Sequence, residues 1–471
     1  MTRSRSLLVW FALSAATAAA VTAQGDRHEI GLRLRSFERS LAEVEDLGRR
    51  DAAFVELERA VQAFFGLDMK RVAASIDAAT LALAGRAPPP VERYARSLQL
   101  RLGRRLVDSH GGALSIEVRR LFEVEDTPEP APELTVAWRL HSGGSWVRRA
   151  LGELPEVFEL DLEELPAGDH VLRWSIADGE RVLVEREMAF AAAIDLDGRL
   201  AAVEAAAGAA KKISPRSIES LTLASLWSLL RTTQRRAAYE TELHGAALLD
   251  EAERLARWVK SDRSARVYDR ERPGSFRVRV PVGERAVSCR LFAPELAVGE
   301  RPIVVALHGA GGSENLFFDG YGDGLCVELA RQRGWFVVAP RNGMGFVDCV
   351  GLVDALSERF PIDRGQVFVV GHSMGAMQAV SNASRTPARF RAVAPIAGGG
   401  RVSRSEELKS VPFFVSAGAR DFGRDGANGL HRQLLAAGVD SSWRLYPSVE
   451  HLAVVQVALP DVFAFFDEHA R

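Results

Sequence analysis

The chain has 471 residues, of which 47% are hydrophobic and 26% charged, a composition that excludes disordered, collagen-like and coiled-coil chains. At roughly 150 residues per domain, this length accommodates several domains with a large buried core. The 60 lysines and arginines balance 62 aspartates and glutamates, giving a net charge of −2. This balance lacks the basic excess of a nucleic-acid-binding protein, so we expect no nucleic-acid partner.

The N-terminal residues have the pattern of a secretory signal peptide. Arg3 and Arg5 precede an apolar run from Leu7 to Val21, and small residues then lead to Ala23, after which we expect cleavage. An uncleaved membrane anchor is the alternative, but the run is shorter than the ~20 apolar residues that a spanning helix needs. We therefore expect an exported protein, periplasmic or extracellular, with residues 1–23 removed and no membrane span afterwards.

The middle of the chain alternates between two kinds of pattern. Residues 24–112 and 194–268 have apolar positions at helical spacing, which predicts two helical regions. Residues 113–193 contain short alternating runs separated by Pro, Gly and Asp, as in Leu134–Trp138 and His170–Ile176. This pattern predicts a small antiparallel β-sandwich. Its tryptophans, Trp138, Trp146 and Trp174, are either core residues or an exposed binding platform.

Residues 269–471 have the pattern of an α/β domain. Phe276–Val280 and Val287–Phe292 form a predicted hairpin, and apolar strands then alternate with helical segments. The predicted strands are Ile303–Leu307, Phe336–Ala339, Val367–Val370, Ala392–Ile396, Phe413–Ala417 and Trp443–Tyr446. Such alternation predicts a mostly parallel sheet covered by helices, with ligands bound beyond the carboxyl ends of its strands.

The cysteines and histidines indicate no metal site. Cys289, Cys326 and Cys349 form no CxxC pair, and no histidines have HxH or HExxH spacing. Cys326 and Cys349 flank one predicted strand and are candidates for a disulfide, with three buried free thiols as the alternative. We expect neither a metal nor a cofactor.

A nucleophile elbow is predicted at Gly371–Gly375, whose sequence is Gly-His-Ser-Met-Gly. It directly follows a strand and precedes a helix, so the sharp turn would lift the hydroxyl of Ser373 above the sheet. His372 inside this motif is interpreted as a packing residue. The backbone N–H of Met374 is the first candidate donor for an oxyanion hole.

The base and the acid that such a serine needs follow in the expected order. Asp421 comes after one later strand and His451 after the next, and we expect His451 to take the proton of Ser373 while Asp421 orients the imidazole. Asp425 is the rival acid. Glu450 adjoins His451, but neighbouring loop side chains usually diverge.

The second oxyanion donor is expected in the glycine-rich segment after the first long strand, His308-Gly-Ala-Gly-Gly312. Ala310 or Gly311 would supply the N–H group, and His308 would brace the loop. The segment lacks the Gly-Lys-Ser/Thr of a phosphate loop and the GxGxxG of a dinucleotide site.

With these motifs, residues from about 275 to 471 resemble the α/β-hydrolase superfamily, in particular secreted bacterial serine esterases of the feruloyl-esterase and polyhydroxybutyrate-depolymerase type. Catalytic domains of the prolyl-oligopeptidase type are more distantly similar. The resemblance implies esterase chemistry by Ser373, His451 and Asp421. No long insertion separates the core strands, which implies an open site. Phe317 and Met344 are candidate substrate contacts, and core packing is an equal alternative for them.

The sequence therefore predicts an exported serine hydrolase that cleaves a small-molecule or polymer-linked carboxylic ester through an acyl-enzyme. A serine peptidase of prolyl-oligopeptidase type and a catalytically inactive binding protein remain alternatives. Activity should rise with pH near neutrality as the catalytic histidine loses its proton. The sequence does not indicate an oligomeric state.

Overall fold

A computed structural model describes residues 27–125, 133–140, 144–162, 165–261, 267–269, 272–295, 299–342, 345–403 and 405–471. The predicted signal peptide, residues 1–23, and Met344 lie outside the described residues.

The chain divides into two compact units. The first comprises the described residues up to Leu41 with Arg59–Asp197 and Leu229–Leu248, and the second comprises Ala42–Glu58, Gly198–Ser228 and Leu249–Arg471. No helix in the described ranges is long and apolar enough to cross a bilayer.

Among the described residues up to 260, a group of helices comes first, a group of strands follows, and a second group of helices comes last. The first helices are α1 (27–42), α2 (Leu47–Phe65), α3 (Met69–Leu83) and α4 (Pro90–Ser97). The strands β1 (Leu98–Leu102), β2 (Leu106–Asp108), β3 (Ala113–Arg120), β4 (Leu134–Arg139), β5 (Val147–Ala150), β6 (Glu156–Asp161), β7 (Gly168–Asp178) and β8 (Arg181–Ala193) follow. Helices α5 (Leu196–Ile213), α6 (Ile218–Thr233) and α7 (Gly245–Lys260) come next.

The strands of the first unit form two sheets, with the orders β1-β3-β6 and β2-β8-β7-β4-β5. Apolar side chains of both sheets share one buried core, so the module is a sandwich. Trp138 and Trp174 lie opposite each other on β4 and β7 and are 2% and 1% exposed. They are core residues rather than a binding platform.

The sandwich begins earlier than residue 113 and is not wholly antiparallel. β1 pairs antiparallel with β3, and β2 pairs parallel with β8. Both strands are short, and their partners lie farther along the chain, so the local sequence pattern gave no separate signal for them.

The second unit is built on an eight-stranded sheet of order β16-β15-β14-β13-β11-β12-β10-β9. Its strands are β9 (Gly274–Val282), β10 (Arg285–Ala293), β11 (Arg301–Leu307), β12 (Phe336–Pro340), β13 (Ile362–His372), β14 (Ala392–Ile396), β15 (Phe413–Gly418) and β16 (Ser441–Tyr446). β9 and β10 form the predicted hairpin, and β10 is antiparallel to β12. The strands β11 to β16 run parallel, which confirms the predicted mostly parallel sheet.

The intervening helices cover a sheet whose central strands are buried along their whole length, as in β12 and β14. They are α8 (Leu316–Asp319), α9 (Tyr321–Arg333), α10 (Cys349–Ser357), α11 (Met374–Arg385), α12 (Ser405–Leu408), α13 (Arg424–Ala436) and α14 (Val454–His469), with a 3₁₀ turn at Pro387–Arg389.

All three cysteines are buried free thiols, so Cys326 and Cys349 do not form the disulfide that we considered. Cys326 lies on α9, which packs on β12 and α14, whereas Cys349 begins α10, which packs on β9 and β13.

Candidate active site

Ser373 lies at the sharp turn between β13 and α11. Its φ of 55° and ψ of −112° place it in a left-handed conformation that is rare for a side-chain-bearing residue. A side chain at Gly371 would collide with the backbone oxygen of Gly375, and one at Gly375 would collide with that of Leu307. Only glycine fits at both positions, and the backbone N–H of Ser373 is held by Ile396 at 2.9 Å. The turn therefore has the geometry of a nucleophile elbow.

His451 and Asp421 meet although they lie on different loops. His451 Nδ1 is 2.7 Å from Asp421 Oδ1, and both side chains are buried. Asp421 Oδ1 also accepts the backbone N–H of Gly423 at 2.6 Å. These contacts require His451 to carry its proton on Nδ1 when neutral, which leaves Nε2 as an acceptor. Among the described residues, no hydrogen bond joins Ser373 Oγ to His451.

The other two carboxylates near this pair face elsewhere. Asp425 lies in the first turn of α13 with its side chain 86% exposed and paired to Arg424. Glu450 is buried and accepts the backbone N–H groups of Leu452 and Ala453 at 2.9 and 2.6 Å. Glu450 thus holds the turn that follows His451.

His372 connects the elbow to the backbone of His451. Its Nε2 is 3.0 Å from the His451 carbonyl oxygen, so Nε2 donates, and its Nδ1 accepts the hydroxyl of Tyr321 at 2.9 Å. Burial and, secondarily, the charge of His451 hold the pKa of His372 well below its ordinary value. His372 is therefore a neutral link. Sequence reasoning found its packing role but missed Tyr321 as its partner, 51 residues away.

The glycine-rich loop after β11 lies beside the nucleophile. A Cβ atom added at Gly309 would be 3.4 Å from Ser373 Cβ and 3.0 Å from His372 Nδ1. Ala310 and Gly311 are exposed, and Gly311 has a φ of 77°, which favours glycine. Met374, the other candidate donor, is the first residue of α11, where backbone N–H groups lack helical partners.

His308 and Asn342 join the ends of β11 and β12. His308 Nδ1 donates to the carbonyl oxygen of Gly309 at 2.8 Å, and Nε2 accepts the N–H of Asn342 at 3.1 Å. Asn342 Oδ1 accepts the backbone N–H of His308 at 3.1 Å, and Asn342 Nδ2 donates to the His308 carbonyl oxygen at 2.7 Å. Burial lowers the pKa of His308 to about 4. The sequence indicated that His308 braces the loop but gave no sign of Asn342.

Two phenylalanines near the site differ in accessibility. Phe317, a candidate substrate contact, is fully buried, and its ring packs edge-on against Tyr321, which favours the core alternative. Phe422 is 59% exposed, and its ring centroid lies 4.0 Å from that of His451. Sequence reasoning did not select Phe422, although it directly follows Asp421.

Two features identify the fold of the C-terminal sheet: the order of its strands and the nucleophile elbow after β13, its fifth strand in chain order. The C-terminal sheet has an α/β-hydrolase fold. Its Ser373, Asp421 and His451 follow β13, β15 and β16, at the carboxyl edge where parallel α/β sheets bind their ligands. The arrangement provides an accessible hydroxyl, a carboxylate-bound imidazole and a glycine-rich loop.

No family model matches the chain. Over 142 residues it is 27% identical to the bifunctional acetylxylan esterase/xylanase XynS20E of Neocallimastix patriciarum, a match covering 28% of this chain. The match covers 21% of the length of that relative.

Several solved structures are similar to this chain. The S-formylglutathione hydrolase FrmB of Staphylococcus aureus has a TM-score of 0.35 at 14% identity, covering 41% of this chain and 96% of its own. A ferulic acid esterase has a TM-score of 0.35 at 16% identity, with 41% and 98% covered. A hyperthermophilic esterase of Pyrobaculum calidifontis has a TM-score of 0.33 at 17% identity, with 43% and 87% covered.

Proposed function

We propose that this chain is a serine hydrolase that cleaves carboxylic esters, with Ser373 as nucleophile, His451 as general base and Asp421 as the orienting acid. The observation that carries the proposal is the 2.7 Å contact between His451 Nδ1 and Asp421 Oδ1. This contact fixes the imidazole with Nε2 unprotonated, which is the form that can accept a proton from a serine. The left-handed elbow at Ser373 supports the role of that residue.

The reaction begins when Ser373 Oγ attacks the ester carbonyl and His451 Nε2 takes its proton. The serine–histidine hydrogen bond forms as substrate enters, since catalytic hydrogen bonds are often long in free enzymes. Collapse of the tetrahedral intermediate expels the alcohol, which receives the proton from His451, and leaves an acyl-enzyme on Ser373. Water activated by the same imidazole then releases the acid and restores the serine.

Charge on the intermediate's oxygen would be held by the N–H of Met374 and by an N–H of Ala310 or Gly311. The support for this assignment is the closeness of Gly309 to Ser373 and the position of Met374 at the start of α11. Two preorganised donors in such positions typically contribute several kcal/mol, since losing one costs roughly 3–4 kcal/mol.

The substrate class that we propose is an ester carried by a small molecule or a polymer. The relative that matches in sequence is described as an acetylxylan esterase/xylanase, so acetylated xylan is the first polymer to test. The exposed ring of Phe422 against His451 supports an apolar contact with the substrate on that side of the site.

The test uses the chain from Gln24 onward with p-nitrophenyl acetate and butyrate, acetylated xylan and a peptide anilide. Ser373→Ala should abolish ester turnover and labelling by a fluorophosphonate probe, whereas Ser381→Ala, in the helix that follows Ser373, should retain both. Cleavage of the anilide by the wild-type chain would instead favour a peptidase. A wild-type chain that is inert to all substrates and to the probe would overturn the proposal.

The proposal includes export. It rests on the sequence pattern of residues 1–23, with cleavage after Ala23. Expression of the full chain in a bacterial host, followed by mass spectrometry of the exported fraction, should give an N-terminus at Gln24. An intact chain retained in the cytoplasm would contradict it.

A further inference from the structure

The first unit contains a cavity of about 370 Å³ formed entirely by its own residues. Its floor is the outer face of the three-stranded sheet, where Arg101, Glu117 and Val157 lie in one row across β1, β3 and β6. Side chains alternate between the faces of a strand, so the neighbours Leu100 and Ile116 point into the sandwich core. The cavity therefore lies opposite the hydrophobic core.

Two uncharged polar side chains of this floor lack partners. Gln99 is 2% exposed and lines the cavity, yet its amide makes no hydrogen bond with any described residue. The hydroxyl of Ser115 is likewise without a partner in the described part of the chain, and it also lines the cavity. A side chain at Gly103 would collide with this hydroxyl, so glycine keeps the Ser115 hydroxyl accessible. Buried polar groups are normally hydrogen-bonded, so the buried amide of Gln99 is the informative exception. The half-buried Ser115 adds a hydroxyl group to the same floor.

The wall formed by residues 235–237 supplies positive charge. Arg236 Nη1 is buried and has no acceptor among the described residues. Arg235 lines the same wall and is exposed to solvent. The nearby carboxylate of Glu29 is already held, by Arg33 at 3.1 Å and Arg186 at 2.9 Å. A buried guanidinium N–H without an acceptor costs free energy, which an anionic ligand would recover.

The other end of the cavity holds ion pairs of its own, centred on Glu242 Oε2, while Glu242 Oε1 is buried without a partner among the described residues. Arg105 donates to Glu242 at 2.9 Å, and His28 lies 3.1 Å from the same carboxylate. Burial opposes the ionisation of Glu242, but His28 and Arg105 outweigh it and hold the pKa of Glu242 well below its ordinary value. Four arginines line the cavity against two glutamates, Glu29 and Glu117, so the lining keeps a net positive charge. Arg236 is the lining arginine whose buried N–H lacks an acceptor among the described residues.

We propose that this cavity binds a small anion that also carries hydroxyl groups, such as a sugar acid or a sugar phosphate. Guanidinium groups bind carboxylate and phosphate oxygens, whereas an amide and a hydroxyl suit the hydroxyl groups of the ligand. The cavity is within the size range of small-molecule sites. Its described lining residues include no Phe, Tyr or Trp ring on which a neutral sugar would stack.

The proposal is tested by isothermal titration calorimetry of the full chain with D-glucuronate, glucose 6-phosphate, inorganic phosphate and D-glucose. We expect an anionic sugar to bind more tightly than inorganic phosphate, and D-glucose not to bind. Equal affinity for inorganic phosphate would overturn the role of the hydroxyl groups. Binding of neither anionic sugar with a Kd below about 10 mM would overturn the site itself.

Variants locate the binding. Arg236→Ala should weaken binding at least tenfold, and Gln99→Leu, which keeps the side-chain volume, should weaken it several-fold. The matched control is Arg148→Ala, an exposed arginine on β5, which should bind as the wild type does. If Arg236→Ala fails to fold, Arg235→Ala and Gln99→Leu carry the test. Unchanged affinity in folded variants at these positions would place the ligand elsewhere and refute the proposal. Ester turnover, measured alongside, should be unaffected.

Discussion

The pH dependence of stability should identify His308 as a buried neutral histidine. Its pKa is about 4 in the folded protein, against 6.5 for an ordinary histidine. The unfolded chain therefore takes up a proton on this residue as pH falls from 6.5 to 4, while the folded protein does not. The stability that His308 contributes is complete above pH 6.5 and declines towards pH 4. The difference of 2.5 pH units, at about 1.36 kcal/mol each, gives about 3 kcal/mol.

The variant that isolates this effect is His308→Asn. Asparagine retains a side-chain donor near Gly309 but removes both the titrating imidazole and the Nε2 acceptor that Asn342 uses. We expect the variant to be less stable at pH 7 by about 1–3 kcal/mol, because the N–H of Asn342 is left buried without an acceptor. The advantage of the wild type should shrink by about 3 kcal/mol between pH 7 and pH 4.

The assay is hydrogen exchange measured by mass spectrometry on peptides that cover β11 and β12, at several pH values, after correction for intrinsic exchange rates. It reports the opening of these strands even if the two units unfold separately. His372, also buried and neutral, is present in both proteins and cancels in the comparison. A wild-type advantage that stays constant from pH 7 to pH 4 would refute the reasoning.

Three further outcomes are expected. Asp421→Asn should lower kcat by about 10²–10⁴-fold, whereas Asp425→Asn should match the wild type; equal losses would contradict the assignment. Gly375→Ala should reduce the yield of folded protein, because the added methyl group would collide with the Leu307 carbonyl oxygen. As the control, Gly429→Ala on α13 adds a methyl group in open space and should raise the unfolding free energy by up to about 1 kcal/mol. Tyr321→Phe should lower the unfolding free energy in urea by about 1–3 kcal/mol and should lower kcat more than it raises KM. An unchanged kcat would show that Tyr321 does not help to position His451.

The parts of the fold with strong local signals could be predicted from the sequence. The strands of the C-terminal sheet are apolar along their length, and the glycines of the elbow are required by backbone collisions at Gly371 and Gly375. By contrast, β1 and β2 are defined by partners elsewhere in the chain, at β3 and β8. Pairing of that kind is decided by tertiary structure, which local patterns do not contain.

The same distinction holds within the candidate site. Ser373, Asp421 and His451 each directly follow a strand that the sequence predicts, so their positions and their order identified them as candidates. Tyr321 and Asn342 act on histidines 51 and 34 residues away, and nothing in their local sequence marks those contacts. For apolar residues such as Phe317 and Phe422, the sequence does not predict which ring is buried and which is exposed, because both are phenylalanines.

The two buried histidines also bear on how the proposed base would be recognised. Burial lowers the pKa of His308 to about 4 and holds that of His372 well below its ordinary value, so both imidazoles are neutral near pH 7. Each also uses both ring nitrogens in hydrogen bonds, which leaves no free nitrogen for proton transfer. His451 is different, since Asp421 occupies Nδ1 only. His451 is therefore the histidine of the site with a ring nitrogen left to accept the proton of Ser373.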